Sequence, residues 1–356
     1  MDTQPLENTR NSSPRTAVII LNWNGSALLR RYLPDVVDTT DASLSRIIVA
    51  DNGSTDDSLE YIKSEFGERV GLMSFDRNYG FAEGYNRAVA LAEGYEYVVL
   101  LNSDVATTPG WDRVLLDYMD AHPQCGACQP KLLSDRERDT FEYAGACGGY
   151  LDRNGYPYCR GRIFADCEKD TGQYDAVADN IHWASGACLF VRRKLYIEAG
   201  GLDASFFAHM EEIDLCWRMR LSGYTLAAVP QAVVYHLGGG SLPVENPRKT
   251  YLNFRNNLLM LHKNLPDSCR SRKLFVRRLL DTAAFAKFLL SLDIANANAI
   301  LKAHRDFRKM RGEYRTHPSD NLLRRSPFSR ISILWQYYIL SRKRFSQLRV
   351  GEIKDV

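Results

Sequence analysis

The stretch Val98-Val99-Leu100-Leu101-Asn102-Ser103-Asp104 decides how the rest of the chain is read. Four apolar residues, two of them β-branched, run into a polar triplet that ends in a carboxylate. A short apolar run bounded by polar residues fits a strand buried on both faces. The triplet then stands where that strand leaves the sheet. In open α/β sheets, ligands bind outside the carboxyl ends of the strands. Asp104 is thereby aimed at a candidate crevice. Taken alone, it serves equally well as the cap of a following helix, because Asp is a common N-cap and Thr107-Thr108-Pro109-Gly110 comes next.

Working outward, the same pattern repeats upstream. Thr16–Leu21 reads as a buried strand that breaks at Asn22-Trp23-Asn24-Gly25, followed by a helical stretch, 26–37. Ile47–Ala50 is a second strand, ending in the turn-rich run Asp51–Ser58 before a helix over 59–66. Val70–Ser74 is a third strand, and Asn78-Tyr79-Gly80-Phe81-Ala82 opens another helix. Strands alternating with helices predict βαβ units and a parallel sheet, with the polar loops lining one edge.

Downstream the pattern changes. Residues 135–182 are rich in Gly, Tyr, Asp and Cys with little periodicity, which predicts a long loop region over that edge. Ser185–Val191 is strand-like, and Glu211–Arg218 lies on a helix ending near Gly223. Thr225–Val229 and Ala232–Tyr235 read as two short strands closing on His236 and a glycine run. From Tyr251 the chain is helical and basic, with Phe275, Leu279, Ala283, Ala286 and Leu290 at near-helical spacing and a second apolar stretch at Ile331–Leu340.

Composition sets the bounds. The 356 residues are 45% hydrophobic and 25% charged, as in an ordinary globular protein, and carry a formal net charge of +3. That total hides an asymmetry. Residues 264–356 hold 20 Lys and Arg against 8 Asp and Glu, whereas residues 1–263 hold 26 against 35. A basic amphipathic tail on an acidic body points to an anionic partner such as a membrane surface; packing of its apolar face on the body is the compatible alternative. Residues 1–15 are polar, read as a disordered leader with no signal-peptide core, and no apolar run is long enough to span a bilayer. The eight cysteines lack metal-ligand spacing and read as reduced thiols.

In order and spacing, Ile20–Asn24, Val49–Asp56, Asn78–Ala82, Leu101–Asp104, Glu211–Arg218 and His236 resemble family 2 glycosyltransferases, and most closely the bacterial rhamnosyltransferase-type branch. Each piece is weak alone; together they are specific over about 16–262. The resemblance implies the GT-A fold, an α/β fold with a mainly parallel nucleotide-binding sheet. It divides 16–263 into a nucleotide-sugar half, 16–110, and an acceptor half, 111–263, ahead of the basic helical region 264–356.

Several roles follow from the resemblance. Asp51 matches the carboxylate that accepts from the pyrimidine N3–H of the donor, a role a fixed acceptor suits; on its own it is also an ordinary turn residue. Leu21, Asn22 and Trp23 match the base and ribose contacts, and Asn78 the segment under the sugar phosphates. Asn102-Ser103-Asp104 matches the metal-binding triplet of the family with Asn in place of its first carboxylate. Asp104, helped by His236, would hold Mg²⁺ or Mn²⁺ against the donor diphosphate. Glu211-Glu212 matches the acidic pair that carries the catalytic base, with Glu212 as base and Glu211 on acceptor hydroxyls. An acidic first turn of a helix is the bland alternative. Trp183 and Gly186 match the segment shaping the acceptor site, where Trp183 could equally be core.

The expected activity is therefore an inverting, metal-dependent sugar transfer. The donor would be a dTDP- or UDP-linked sugar, with dTDP-L-rhamnose foremost. The acceptor would be a glycan or lipid-linked glycan in cell-surface polysaccharide synthesis, at the cytoplasmic face of the membrane. A nucleic-acid-binding protein using the basic tail is the alternative of another class, but the acidic body lacks interleaved basic and aromatic motifs, so no nucleic acid is expected. A dinucleotide oxidoreductase is disfavoured because no G-x-G-x-x-G follows the first strand.

Overall fold

Strand β1 (Thr16–Asn22) is apolar on both faces and runs through the middle of the main sheet. The computed structural model describes residues 13–238, 246–314, 318–348 and 350. After β1 come α1 (Ser26–Thr39), β2 (Ser45–Asp51), α2 (Ser58–Phe66), β3 (Gly71–Ser74), α3 (Phe81–Leu91) and β4 (Tyr97–Leu101). These strands pair in parallel in the order β4-β1-β2-β3. The register sets Asn22 opposite Asp51 and Ile20 opposite Leu101, so the polar exits of three strands share one edge. The turn into α3 depends on Gly80, whose φ of 80° is a conformation that side chains with a Cβ disfavour.

Beyond β4 the sheet becomes mixed. A short β5 (Val105–Thr107) directly follows Asp104, and Gly110 stands at the N-cap of α4 (Trp111–Ala121), so Asp104 is not a helix cap. β6 (Cys125–Ser134) has no apolar alternation because it is buried on both faces. The expected long loop at 135–182 is instead a second sheet of very short strands: β7 (Gly149–Leu151), β8 (Pro157–Cys159), β9 (Arg162–Ile163) and β10 (Asp166–Cys167), antiparallel throughout. The chain returns to the main sheet through β11 (Ala178–Asp179) and β12 (Cys188–Arg192), which lies antiparallel between β4 and β6.

After α5 (Arg193–Glu198) and α6 (Glu211–Leu221) comes β13 (Thr225–His236). The two short strands expected there are one, with a register break between Val229 and Val233. Pro230 lies at that break, a position where its missing N–H is tolerated. Apolar residues of α1, α2 and α4, such as Leu29, Tyr61 and Trp111, fill one face of the sheet. Those of α3, α5 and α6, such as Tyr85, Leu195 and Trp217, fill the other.

The C-terminal region is α7 (Pro247–Asn264), α8 (Asp267–Leu290), α9 (Ile294–Met310) and α10 (Leu322–Arg325), then a π-helical turn at Trp335–Ile339. The helix expected over Ile331–Leu340 shrinks to 333–339, of which that turn is the larger part. The segment after α10 folds back on the small sheet: Ser326 Oγ meets His182 Nε2 at 2.7 Å, and Tyr158 donates to the Phe328 carbonyl at 2.8 Å. The regular apolar stripe of α8 does not pack on the body. Phe275, Leu279 and Leu290 are 58%, 56% and 87% exposed. No helix among the described residues is long and apolar enough to cross a membrane. Of the expected leader, residues 1–12 lie outside the described residues, as do most of the glycine run and the last six residues. Arg15, by contrast, is fixed to the body by Glu96 and Asp120 at 2.6 and 2.7 Å.

Candidate active site

The exits of β1, β2 and β4 open into a single cavity of about 2260 Å³. Among the residues lining it are Leu21, Trp23, Asn78, Asn102, Asp104, Trp183, Gly186, Glu211, Glu212 and His236. Two expected ligand-binding residues stand behind the wall. Asp51 is buried, its Oδ1 accepting from Asn22 Nδ2 at 2.9 Å and its Oδ2 from the Ser54 N–H at 3.0 Å. Asp51 thus fixes the turn as an Asx residue does, while each carboxylate oxygen retains accepting capacity. Its neighbour Asn52 faces the cavity and clamps the next loop, donating to Asn78 Oδ1 and accepting from the Tyr79 N–H. Trp23 is 56% exposed, an open aromatic surface beside the first exit. Trp183 is buried, and its Nε1 donates to the Tyr150 carbonyl at 3.1 Å.

Sheet pairing brings Asp104 and His236 together. β13 pairs β5 with His236 opposite Val105, and the Leu237 N–H donates to the Asp104 carbonyl at 3.0 Å. His236 Nε2 then lies 3.1 Å from Asp104 Oδ1 and 3.4 Å from Asn102 Nδ2. On the other side of the ring, Nδ1 lies 3.4 Å from Glu142 Oε2, without hydrogen-bond alignment. Burial disfavours the charged imidazole, but Asp104 and Glu142 outweigh it and push its pKa up to about 10.

A divalent cation fits this corner. The Asp104 carboxylate oxygen and His236 Nε2 converge, so that a bound ion would take the place of the Nε2 proton, and a carboxylate stands behind the imidazole as in many metal–histidine sites. Among the described residues no cluster of three or more His, Cys, Asp or Glu side chains could hold an ion alone. Phosphate oxygens and water would have to complete the coordination, which is how Mg²⁺-type ions are usually held beside nucleotides. Glu142 escapes sequence reasoning because it lies in the aperiodic 135–182 stretch.

Across the cavity, Glu211 and Glu212 open α6. Dipole complementarity alone would explain three acids in this first turn, but only Asp214 is neutralised. It binds Arg218, Lys263 and Asn264 at 2.9, 2.9 and 2.6 Å. Glu211 and Glu212 each keep a buried oxygen, Oε2, without a partner. Burial pushes both carboxyls up, Glu211 further raised by the charge of Glu212, and Glu212 reaches about 7. A carboxylate with that pKa is matched to proton abstraction near neutrality. Gly186 lies directly against it: a Cβ there would meet Glu212 Cβ at 3.5 Å, an ordinary contact. The Asn102 N–H donates to the Ala187 carbonyl at 3.0 Å, so a backbone hydrogen bond ties the polar triplet after β4 to the wall beside Glu212.

The turn before α6 is strained. Phe207, His209 and Met210 all have positive φ, at 66°, 69° and 74°. Such residues cost on the order of 1–3 kcal/mol each and persist only when surroundings hold them. Asn256 of α7, fully buried, does so: its amide nitrogen is 3.0, 2.9 and 2.7 Å from the carbonyls of Phe206, Ala208 and His209. Sequence reading gave no sign of this clamp, since Asn256 sits in a helix remote from the acidic pair.

A family model of glycosyl transferase family 2 matches residues 17–199. The chain belongs to glycosyl transferase family 2. This glycosyltransferase is 28% identical over 233 residues to the N-acetylglucosaminyl-diphospho-decaprenol L-rhamnosyltransferase of Mycobacterium tuberculosis, covering 62% of this chain and 75% of the relative. It is 25% identical over 226 residues to the rhamnosyltransferase WbbL of Escherichia coli, covering 62% and 82%. Among solved structures, GalNAc-T7 with UDP, GalNAc and Mn²⁺ superposes at a TM-score of 0.55 and 17% identity, over 71% of this chain but only 48% of that one. The Pyrobaculum calidifontis mannosyltransferase PcManGT with GDP-Man and Mn²⁺ gives 0.51 and 15%, over 83% and 87%. These likenesses, with the mixed sheet and its flanking helices, establish the GT-A fold of the glycosyltransferase.

Proposed function

We propose that the glycosyltransferase transfers a sugar, with inversion, from a nucleoside diphosphate donor to a hydroxyl of a glycan or lipid-linked glycan in cell-surface polysaccharide synthesis. The observation that carries the reading is Glu212: a carboxylate with a buried oxygen and no ion-pair partner among the described residues, beside Gly186 in the same cavity as Asp104 and His236. The acceptor hydroxyl gives its proton to Glu212 as its oxygen attacks the anomeric carbon. The bond from that carbon to the diphosphate oxygen breaks, and the nucleoside diphosphate leaves with the electron pair. Glu211 orients acceptor hydroxyls. Asp104 and His236 would hold Mg²⁺ or Mn²⁺, whose chemistry is to neutralise charge on the leaving diphosphate.

The relatives' names favour L-rhamnose as the sugar, and the dTDP-linked donor expected from the sequence is the first to test. Asp51 reads the base imide, Leu21, Asn22 and Trp23 flank base and ribose, and Asn78 lies under the phosphates. Gly186 and Trp183 shape the acceptor side. The exposed apolar face of α8 and its basic neighbours support work at the cytoplasmic membrane surface. The test is release of nucleoside diphosphate from a panel of nucleotide sugars. Turnover that Glu212→Gln abolishes, with donor binding retained, supports the reading; loss of donor binding in that variant moves Glu212 to the metal side.

A further inference from the structure

The cavity does not end beside Glu212. It runs on to α8 and the Trp335–Ile339 turn, and at about 2260 Å³ it exceeds the roughly 300–1,000 Å³ that encloses one drug-sized ligand. Helix α8 presents Val276, Leu280, Ala284 and Phe288 to this arm at four-residue steps, which places them on one face. All four are only half-buried, so their apolar surface is offered to the cavity rather than spent on packing. This face is distinct from the outward stripe of Phe275, Leu279 and Leu290. Trp335, Tyr338 and Ile339 line the same arm, with Lys287 Nζ 5.3 Å from the Tyr338 ring centre.

The wall leading there from the catalytic corner is basic. Arg162 and Lys249 flank Tyr143, next to Glu142, at 4.6 and 5.5 Å from its ring centre. Lys273 donates to the Arg153 carbonyl one turn before Val276, and Arg272 adjoins it. None of these five cations is ion-paired with a carboxylate among the described residues. Unpaired cations beside an apolar surface attract an anion that is itself attached to something apolar.

We propose that this arm binds an amphiphilic acceptor, with a phosphate-bearing head on Arg153, Arg272 and Lys273 and a hydrocarbon chain along the Val276–Phe288 face. Its hydroxyl-bearing sugar then reaches Glu212. The acceptor role rests on the transferase reading above; the arm's chemistry rests on the wall itself. The region after the family-matched residues is on this view part of the substrate site.

The probe is farnesyl diphosphate, titrated calorimetrically into the full chain saturated with Mn²⁺ and whichever of dTDP or UDP raises its melting temperature. Saturation keeps the probe out of the donor site. Farnesyl diphosphate should bind at least tenfold more tightly than inorganic diphosphate or farnesol. Leu280→Glu and, independently, Ala284→Trp should each weaken it at least tenfold, with nucleotide binding and melting temperature unchanged. Absence of binding to the saturated protein, or equal binding by both folded variants, would overturn the proposal. So would loss of phosphatidylglycerol-vesicle association in Leu280→Glu with farnesyl diphosphate binding intact, which would assign the face to the bilayer. Failure of both dTDP and UDP to raise the melting temperature would overturn the transferase reading and with it the acceptor role; failure of farnesyl diphosphate alone overturns only the arm.

Discussion

His236 Nε2 lies 3.1 Å from Asp104 Oδ1, two residues 132 positions apart that the pairing of β13 with β5 brings to one corner. Replacing either by Ala removes one of the two side chains proposed to hold the ion. Mn²⁺-dependent nucleotide binding should fall at least tenfold in both variants. Glu142→Ala, which strips the carboxylate behind the imidazole, should weaken it by roughly 10- to 100-fold, the usual effect of losing such support. Calorimetry with and without Mn²⁺ reads this directly, and unchanged Mn²⁺ dependence in Asp104→Ala would place the ion elsewhere.

The raised pKa of Glu212 has two consequences with definite sign. Transfer needs the carboxylate, so kcat should rise with pH through about 7 and level off above it. For stability, a carboxyl whose folded pKa lies above its unfolded value binds more protons when folded. Its contribution is present below the unfolded value of 4.5 and is lost as pH rises through about 7. Glu212→Gln should therefore raise the melting temperature at pH 8 and change it little at pH 4.5. Equal shifts at both values would mean that Glu212 titrates normally.

Asn256 acts through the strained turn rather than on substrate. Asn256→Ala removes the amide that holds the carbonyls of Phe206, Ala208 and His209 and so frees the approach to Glu211. Catalysis should drop at least tenfold in kcat while nucleotide affinity stays within about twofold, because the donor corner is built on other strands. A fall in nucleotide affinity equal to that in kcat would show general unfolding instead.

The outward face of α8 predicts a separate behaviour. Phe275→Glu with Leu290→Glu should leave the melting temperature nearly unchanged, since both side chains are exposed and surface changes usually stay within about 0.5 kcal/mol. Co-sedimentation with phosphatidylglycerol vesicles should fall several-fold and be weakened further by salt. Undiminished co-sedimentation would leave this face without a membrane role.

The parts of this site legible in sequence are those set by local pattern. Val98–Leu101 is a buried run, so the placement of Asn102 and Asp104 at its exit follows without tertiary knowledge. Glu211 and Glu212 stand out as an acidic pair at a helix start. Glu142 and Asn256 do not, because what places them at the candidate site is a partner far along the chain. Glu142 reaches His236 through the register of β6 with β13, where Ser134 faces His236. The strands β7 to β10 are two or three residues long, too short for period-two alternation to register, so they read as loop. The β6 segment, with Gln129 and Pro130 at its centre, hides a strand buried on both faces. Asp51 stands out in sequence as a carboxylate at a strand exit; that Asn22 and Ser54 donate to its two oxygens does not.

The most direct test of the central claim is nucleoside diphosphate release from dTDP-L-rhamnose and a panel of UDP-sugars, with Mn²⁺ and a lipid-diphosphate glycan acceptor, by wild type and Glu212→Gln. The account predicts acceptor-dependent release from at least one pyrimidine donor, and its loss by three or more orders of magnitude in Glu212→Gln with nucleotide affinity retained. Release that Glu212→Gln leaves unchanged, with any donor, would contradict it.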